Sequence, residues 1–487
     1  MKAKGLIVGV AMIVSGAARG ETLGDAIALA YDTNPTLLAR RATLRATDEG
    51  YVQAQAGFRP TASVQGTLTT DENNETFGQP YAGNYQTSGA GITLTQPIYT
   101  GGRVSSQVTA AQATILAGRE TLRATEQTVL QAVIGAYVDT RRDEQDVAIA
   151  EENVGLLERQ LTESRARFGV GEITRTDVAE TESRVAAARA QLSSTRAQLA
   201  TSQAEYTAVV GQVPGKLAPE PPLAKLLPDS LEAAFGAATA NNPQVRQQDY
   251  AEQASAAKVA AAKAQTRPSV SVQASLGYAG GVYGISSPFV NYGHAVAATA
   301  TATVPLFTGG LTSSQVRAAA ETDNADRIGI ETIRRQVMFQ VSKAWNQLLA
   351  ARANLTAIET EVSAANIAFE GTRQEARVGL RTTLDVLITE QDLSNAQLAL
   401  VGARHDEYLA GAALLVAMGG LEAKDLTQGL TLYDPSRNFK RVTHLPGWTP
   451  WDPAIAAVDR IGAPSVVQRP PPGPVISDPS AQTATAP

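Results

Sequence analysis

The chain of 487 residues contains no cysteine, which removes disulfides, thiolate metal sites, cysteine nucleophiles and an N-terminal lipid-anchored cysteine together. Aromatic residues make up only 5% of it, and no apolar run after residue 20 approaches the ~20 residues of a membrane-spanning helix. Lysine and arginine alternate with acids at a net charge of -6, so there is no basic stripe and a nucleic-acid partner is excluded. The three histidines, His294, His405 and His444, are too scattered for a metal site. No nucleophile elbow, Walker loop or zinc signature is present, and acid pairs such as Glu151-Glu152 read as solvated helix faces. Neither catalysis nor a cofactor is expected. Stability must come from packing and assembly, and energy from a partner.

What is present begins with an export signal over residues 1–20. Lys2 and Lys4 precede the apolar run Leu6 to Val14, and Ala18-Arg19-Gly20 supplies small residues before Glu21. Then the chain is written twice at an offset of 208. Asn34-Pro35 returns as Asn242-Pro243, and Arg59-Pro60 as Arg267-Pro268. Pro97-Ile98-Tyr99-Thr100-Gly101-Gly102 returns as Pro305-Leu306-Phe307-Thr308-Gly309-Gly310, and Asp177-Val178 as Asp385-Val386. A repeat this long is a structural half rather than a solenoid unit. The boundaries read as 21–212 and 229–420, with a linker over 213–228 between the halves.

From Gly102 to Gly169 there is no proline and almost no glycine, which leaves about 66 residues of helix, on the order of 100 Å. Leu311 to Val378 is equally long. Val341, Leu348, Leu355, Val362 and Phe369 recur every seven residues, with Ala344, Ala351, Ile358 and Ala365 in the other seam position. Val147, Val154 and Leu161 hold the same register in the first half. A strict heptad predicts left-handed coiled-coil walls. Each long helix turns at a glycine, Gly169 and Gly171 in the first half and Gly379 in the second. A second helix then starts at Thr174 or Thr382 and runs to about Val210 or Met418. Helix-compatible stretches, about Leu23 to Phe58 and Leu231 to Thr266, precede the strands.

Between Arg-Pro and Gly-Gly the period changes to two. Ala62, Val64, Gly66 and Leu68 alternate with Thr61, Ser63, Gln65 and Thr67, and Val270, Val272, Ala274 and Leu276 alternate with serine and glutamine. Partner strands follow at Thr87 to Gln96 and His294 to Val304, each of roughly ten residues, the length of a tilted membrane strand. The loops Asp71 to Gln86 and Ala279 to Gly293 join them. Tyr81, Tyr85, Tyr278, Tyr283, Phe289 and Tyr292 near one end, and Phe58, Tyr99 and Phe307 near the other, suit interfacial girdles. Four strands cannot close a membrane barrel, because the smallest need about eight. The chain must therefore oligomerise to sit in a bilayer.

The two halves, the Arg-Pro before each first strand, the P-x-[YF]-x-G-G turns at Pro97 and Pro305, and the G-x-x-T-x-x-D-V turns together resemble the TolC-type outer membrane efflux family, over about Thr22 to Gly420. The resemblance implies an α+β membrane protein: a trimeric outer-membrane β-barrel, four strands per chain, continuous with a long α-helical coiled-coil periplasmic tunnel. It implies a homotrimer set in outer membrane lipid that docks a periplasmic adaptor (membrane fusion) protein and an inner-membrane transporter, ABC or proton-driven. It also implies export of drugs, small toxic molecules or unfolded proteins.

By the same resemblance the helical-hairpin turns form the periplasmic entrance and the adaptor dock. Asp385 becomes the acidic ring, Arg381 the latch, and Thr176 and Asp177 its first-half partners. Ile388 stands where a second carboxylate would sit and Ala376 where a latch tyrosine would, while Glu390 lies nearby in a different helical phase. Thr174-x-x-Asp177 and Thr382-x-x-Asp385 also have capping-box spacing, so both aspartates are expected as caps whether or not Asp385 lines a pore. The halves differ at the entrance, where Arg381 is matched by Ile173.

After Gly420 the repeat ends. Residues 421–467 read as a segment packed on the tunnel exterior, anchored by Trp448 and Trp451, and 468–487 as a disordered proline-rich tail. The competing reading, a soluble periplasmic coiled-coil scaffold or adaptor, predicts one helical hairpin flanked by lipoyl-like segments instead of two hairpins bracketed by strands.

Overall fold

The computed structural model describes residues 20–73, 83–283, 293–427, 429–444 and 449–466. The export signal, Tyr81, Phe289, Tyr292, Trp448 and the tail lie outside the described residues, as do the side chains of Tyr85 and Tyr283. The elements run α1 (Leu23–Thr33), α2 (Pro35–Gln55), a 3-10 turn (Ala56–Phe58), β1 (Thr61–Asn73), β2 (Gly83–Tyr99), α3 (Arg103–Gly169) and α4 (Arg175–Val210). The second half gives α5 (Leu231–Asn241), α6 (Pro243–Ala264), β3 (Ser269–Tyr283), β4 (Gly293–Thr303), α7 (Leu311–Arg377) and α8 (Thr383–Met418). Three short helices follow: α9 (Ala423–Leu426), α10 (Pro435–Thr443) and α11 (Asp452–Asp459). The chain forms two compact units, one of Met1–Leu38, Thr125–Asn242 and Met338–Leu432, the other of Ala39–Ala124, Pro243–Val337 and Tyr433–Pro487.

The first unit carries the helical hairpins. Helices α3 and α7 are both 67 residues long, and their partners α4 and α8 are both 36. No seam residue of the heptad is exposed: Val341, Ala344, Leu348 and Phe369 are buried, and Leu355, Ile358 and Val362 half-buried. Leu157 of α3, Val185 of α4 and Leu387 of α8 form one buried cluster. Exposed arginines reach across each hairpin. Arg196 donates to Glu151 at 2.7 Å, and the pair recurs 208 positions later as Arg404 and Glu359 at 3.8 Å. The residues between the halves are tied down rather than loose. Leu217 and Leu223 are buried, Glu21 bridges to Leu217, and the Glu21 carboxylate accepts from Tyr206 Oη at 2.6 Å and Gly215 N at 3.0 Å.

Each helical run before the strands is broken once, at Asn34-Pro35 and Asn242-Pro243, where the sequence reading carried it straight through. A residue before proline is pushed out of the helical region, and both asparagines are extended, at ψ 121° and 123°. The amide of Asn34 donates to Val209 O at 3.1 Å and that of Asn242 to Ala417 O at 2.9 Å, so each corner is fastened to the end of its own half's hairpin.

In the second unit the strands make one antiparallel four-stranded sheet in the order β1-β2-β3-β4. The first three run to 13, 17 and 15 residues, longer than the ten or so expected, because the ladder continues into the stretches read as loops and β2 passes through Pro97 by a register shift, while β4 has 11, within a residue of the expected bounds. Cross-strand rows match the alternation. Val64, Ile92, Leu276 and Val296 share one row and all are exposed, while Ser63, Thr93, Ser275 and Ala297 share a row on the opposite face.

The C-terminal segment packs in the same unit. Asn438 of α10 donates to Asp48 at 2.7 Å, Phe439 meets Tyr51 edge-on at 5.1 Å, and Ile455 of α11 joins Phe58 and Val104 in a buried cluster. Trp451 is not the anchor expected of it. It stays 49% exposed, its indole N–H donating to Gln96 at 3.2 Å, because the inward face of α11 carries Ile455 and Asp459, four residues apart.

Candidate functional site at the helical-hairpin turns

Both hairpins reverse direction through the same device. Gly171 and Gly379, 208 apart, have φ of 81° and 79°, a left-handed step that other residues adopt only at a cost, and nothing lies within 4 Å of a side chain placed there. Gly169 is the last residue of α3. Thr174 and Thr382 then start the return helices. Asp177 Oδ2 accepts from Thr174 N and Oγ1, both at 2.8 Å, and Asp385 Oδ2 accepts from Thr382 N at 3.0 Å and Oγ1 at 2.8 Å. The backbone N–H and then the hydroxyl of the threonine hold each carboxyl below the usual aspartate range. Both aspartates therefore carry full charge at neutral pH.

Arg381 donates to Glu375 at 2.9 Å and feels the charge of Asp385 as well. Within one chain it is not brought to Thr176 or Asp177; the partner it has instead, Glu375, went unnoticed in the sequence. The first-half turn holds the mirror arrangement. Arg167, at the position 208 before Glu375, donates to Glu172 at 3.1 Å. At one turn the helix supplies the cation and the turn the anion, and at the other the roles are exchanged. A scan for matches at the offset cannot see this, because only the helix members correspond: Arg167 lines up with Glu375, whereas Glu172 lines up with Leu380 and Arg381 with Ile173. Both turns also expose apolar residues: Val170 and its repeat Val378 are 73% and 71% exposed.

Glu390, two turns along α8, supplies no open charge. It is buried with Oε1 unpartnered, and burial pushes its carboxyl up to about 7 against the pull of Arg159 and Arg373. A raised carboxyl stabilises the fold fully below its ordinary value of 4.5, and that contribution is lost as pH rises through about 7. We expect Glu390→Gln to remove this loss and to stabilise the protein by on the order of 2 kcal/mol at pH 8 with little change at pH 4. Thermal unfolding of both chains across that range checks it.

His405, buried in the same unit, sits between Asp139 at 2.7 Å and Asp406 at 2.9 Å. Burial lowers its pKa, but the two carboxylates outweigh that and raise it overall. No cluster of metal-holding side chains occurs among the described residues.

The strand-to-helix turns lie in the other unit. Gly101 and Gly102, after the Pro97 bulge, take φ of 71° and 88°, and the Asp459 carboxylate closes the turn by accepting from Thr100 N at 2.6 Å and Ser105 Oγ at 2.8 Å. In the second half Pro305, Gly309 and Gly310 repeat the backbone, at φ of 61° and 86° for the glycines, and the bonds there are local, Ser313 Oγ donating to Gly310 O at 2.9 Å and Thr312 Oγ1 to Thr308 Oγ1 at 3.1 Å.

The pattern that defines the outer membrane efflux protein family matches residues 26–212 and 235–420, one match to each half. The chain belongs to that family. Among family relatives, the outer membrane efflux protein BepC of Brucella suis biovar 1 is 35% identical over 443 residues, covering 90% of this chain and 95% of BepC. The alkaline protease secretion protein AprF of Pseudomonas aeruginosa is 27% identical over 341 residues, 69% of this chain and 70% of AprF. The crystal structure of the outer membrane protein VceC of Vibrio cholerae has the same fold, with a TM-score of 0.68 at 22% identity over 82% of this chain and 96% of VceC. Family membership sets the location as the outer membrane and sets enzymatic activity aside. No helix among the described residues is long and apolar enough to cross a membrane.

Proposed function

We propose that the mature chain is a passive outer-membrane export duct in which three copies, with four strands each, close one barrel continuous with a periplasmic helical tunnel. The sheet carries the argument. Its Val64-to-Val296 face is apolar and exposed, both outer strands are open, and four strands are too few for closure, which needs about eight. Heptad walls on helices of 67 residues support the tunnel. The hairpin turns, with Val170 and Val378 exposed beside ion pairs, suit docking to a periplasmic adaptor that recruits an ABC or proton-driven inner-membrane transporter. Likeness to both an efflux protein and a protease secretion protein leaves tripartite efflux and type I secretion as the two settings.

In this reading three copies of Asp385 ring the entrance and favour cations, Arg381 holds the turn, and Thr176 and Asp177 face it from the first-half hairpin. The test is the mass of the detergent-extracted complex and its current in planar bilayers. A trimer with cation-selective conductance is expected; a protein soluble without detergent, or one that conducts nothing, ends the proposal. Asp385→Ala should weaken cation selectivity, and Arg381→Ser should raise conductance.

A further inference from the structure

The repeat predicts which residues pair between copies. The hairpins β1-β2 and β3-β4 have one register: Thr61 faces Thr95, and 208 positions on, Ser269 faces Thr303. The halves are joined inside the chain by β2 and β3, where Ile92 faces Leu276 and Thr93 faces Ser275. If six equivalent halves surround one axis, the junction between copies must repeat the junction within a copy. Moving β2 forward by the offset and β3 back by it turns that junction into β4 against β1. Resting on the trimeric reading above, we propose that β4 of one copy pairs antiparallel with β1 of the next copy in the register that sets Ala300 opposite Leu68 and Thr301 opposite Thr67.

Two observations support it besides the symmetry. The faces match: Ala300 and Leu68 both lie on the apolar face, and Thr301 and Thr67 both on the polar one. A slip by one residue would set every apolar side chain of β4 against a polar one. The second is where β4 stops. In the first half the ladder continues through Gln96 opposite Val272 to Tyr99 opposite Val270. In the second half β4 ends at Thr303, and Val304, Leu306 and Phe307 are 52%, 93% and 90% exposed. The proposed register supplies the missing strand, setting Val304 against Val64 and Phe307 against Ala62 of the next copy. The unfinished end of β4 is thus explained by the partner that completes it.

Because the chain has no cysteine, introduced pairs report cleanly. Adjacent cross-strand pairs alternate between wide and narrow geometry, so two doubles are needed: Ala300→Cys with Leu68→Cys, and Thr301→Cys with Thr67→Cys. Ala298→Cys with Leu68→Cys tests a slip of two. After oxidation of the full-length trimer in the membrane, at least one in-register double should form covalent trimers on a non-reducing gel about fivefold or more above the slipped double. Stronger linkage of the slipped double overturns the register and leaves the trimer standing, as does a native-mass trimer unlinked at both in-register pairs. A monomer unlinked at every pair overturns the trimeric duct as well.

Discussion

Replacing Asp459 by alanine is expected to cost about 4 kcal/mol and to unfasten the first-half strand-to-helix turn. Asp459 is fully buried, and its carboxylate accepts from Thr100 N, Thr100 Oγ1, Gly102 N, Ser105 N and Ser105 Oγ, at 2.6 to 3.3 Å. Removing it leaves three backbone donors without their acceptor. Burial alone would raise its pKa, but the bonds from Ser105 and Thr100 outweigh burial and bring it below the aspartate value of 3.8. The contribution is therefore present above that value and lost as pH falls through the depressed pKa. Asp459→Asn should fall between the two, since an amide keeps one acceptor and turns two donors toward donors. Thermal unfolding with the yield of folded protein reads both changes; a loss under about 1 kcal/mol for the alanine variant would sink the account.

The second large effect is an inequality between equivalent glycines. Gly211 and Gly419 both cap a return helix in the left-handed region, at φ of 95° and 74°. A methyl on Gly211 would meet only Thr33 Oγ1 at 3.5 Å, so Gly211→Ala should cost about 1 kcal/mol from backbone strain alone. On Gly419 it would stand 2.6 Å from Asn242 Cα and 2.8 Å from Asn241 O, which are main-chain atoms with no rotamer to give way. Gly419→Ala should therefore cost about 3 kcal/mol or more and loosen the bond from Asn242 to Ala417. Equal unfolding shifts in the two variants would refute the contact argument.

Much of the fold is legible in residue order because both periods are strict. Seven-residue spacing on Val341 through Phe369 and the glycines that end it place the helix ends within a residue or two, and the alternation from Ala62 to Leu68 assigns the faces of β1. The caps at Thr174 and Thr382 follow from local spacing. Contacts between residues remote in sequence are another matter. Nothing near Asp459 announces Thr100, 359 positions away, and nothing in Asn-Pro says that the asparagine will reach Val209. The pairs at Arg167 and Arg381 escape because each turn keeps an ion pair while the sign at the helix position reverses and the turn member moves by one residue.

The Asp459 clamp also orders events in time. A chain delivered from its N-terminus presents Thr100 and Ser105 hundreds of residues before their acceptor arrives, so the first-half junction stays incomplete until Asp459 has emerged. At the second-half turn the side-chain bonds among the described residues are local, from Thr312 and Ser313. One half of the duplicated body is thus closed by a residue that belongs to neither copy, so the two halves, alike in sequence, differ in when they can be finished.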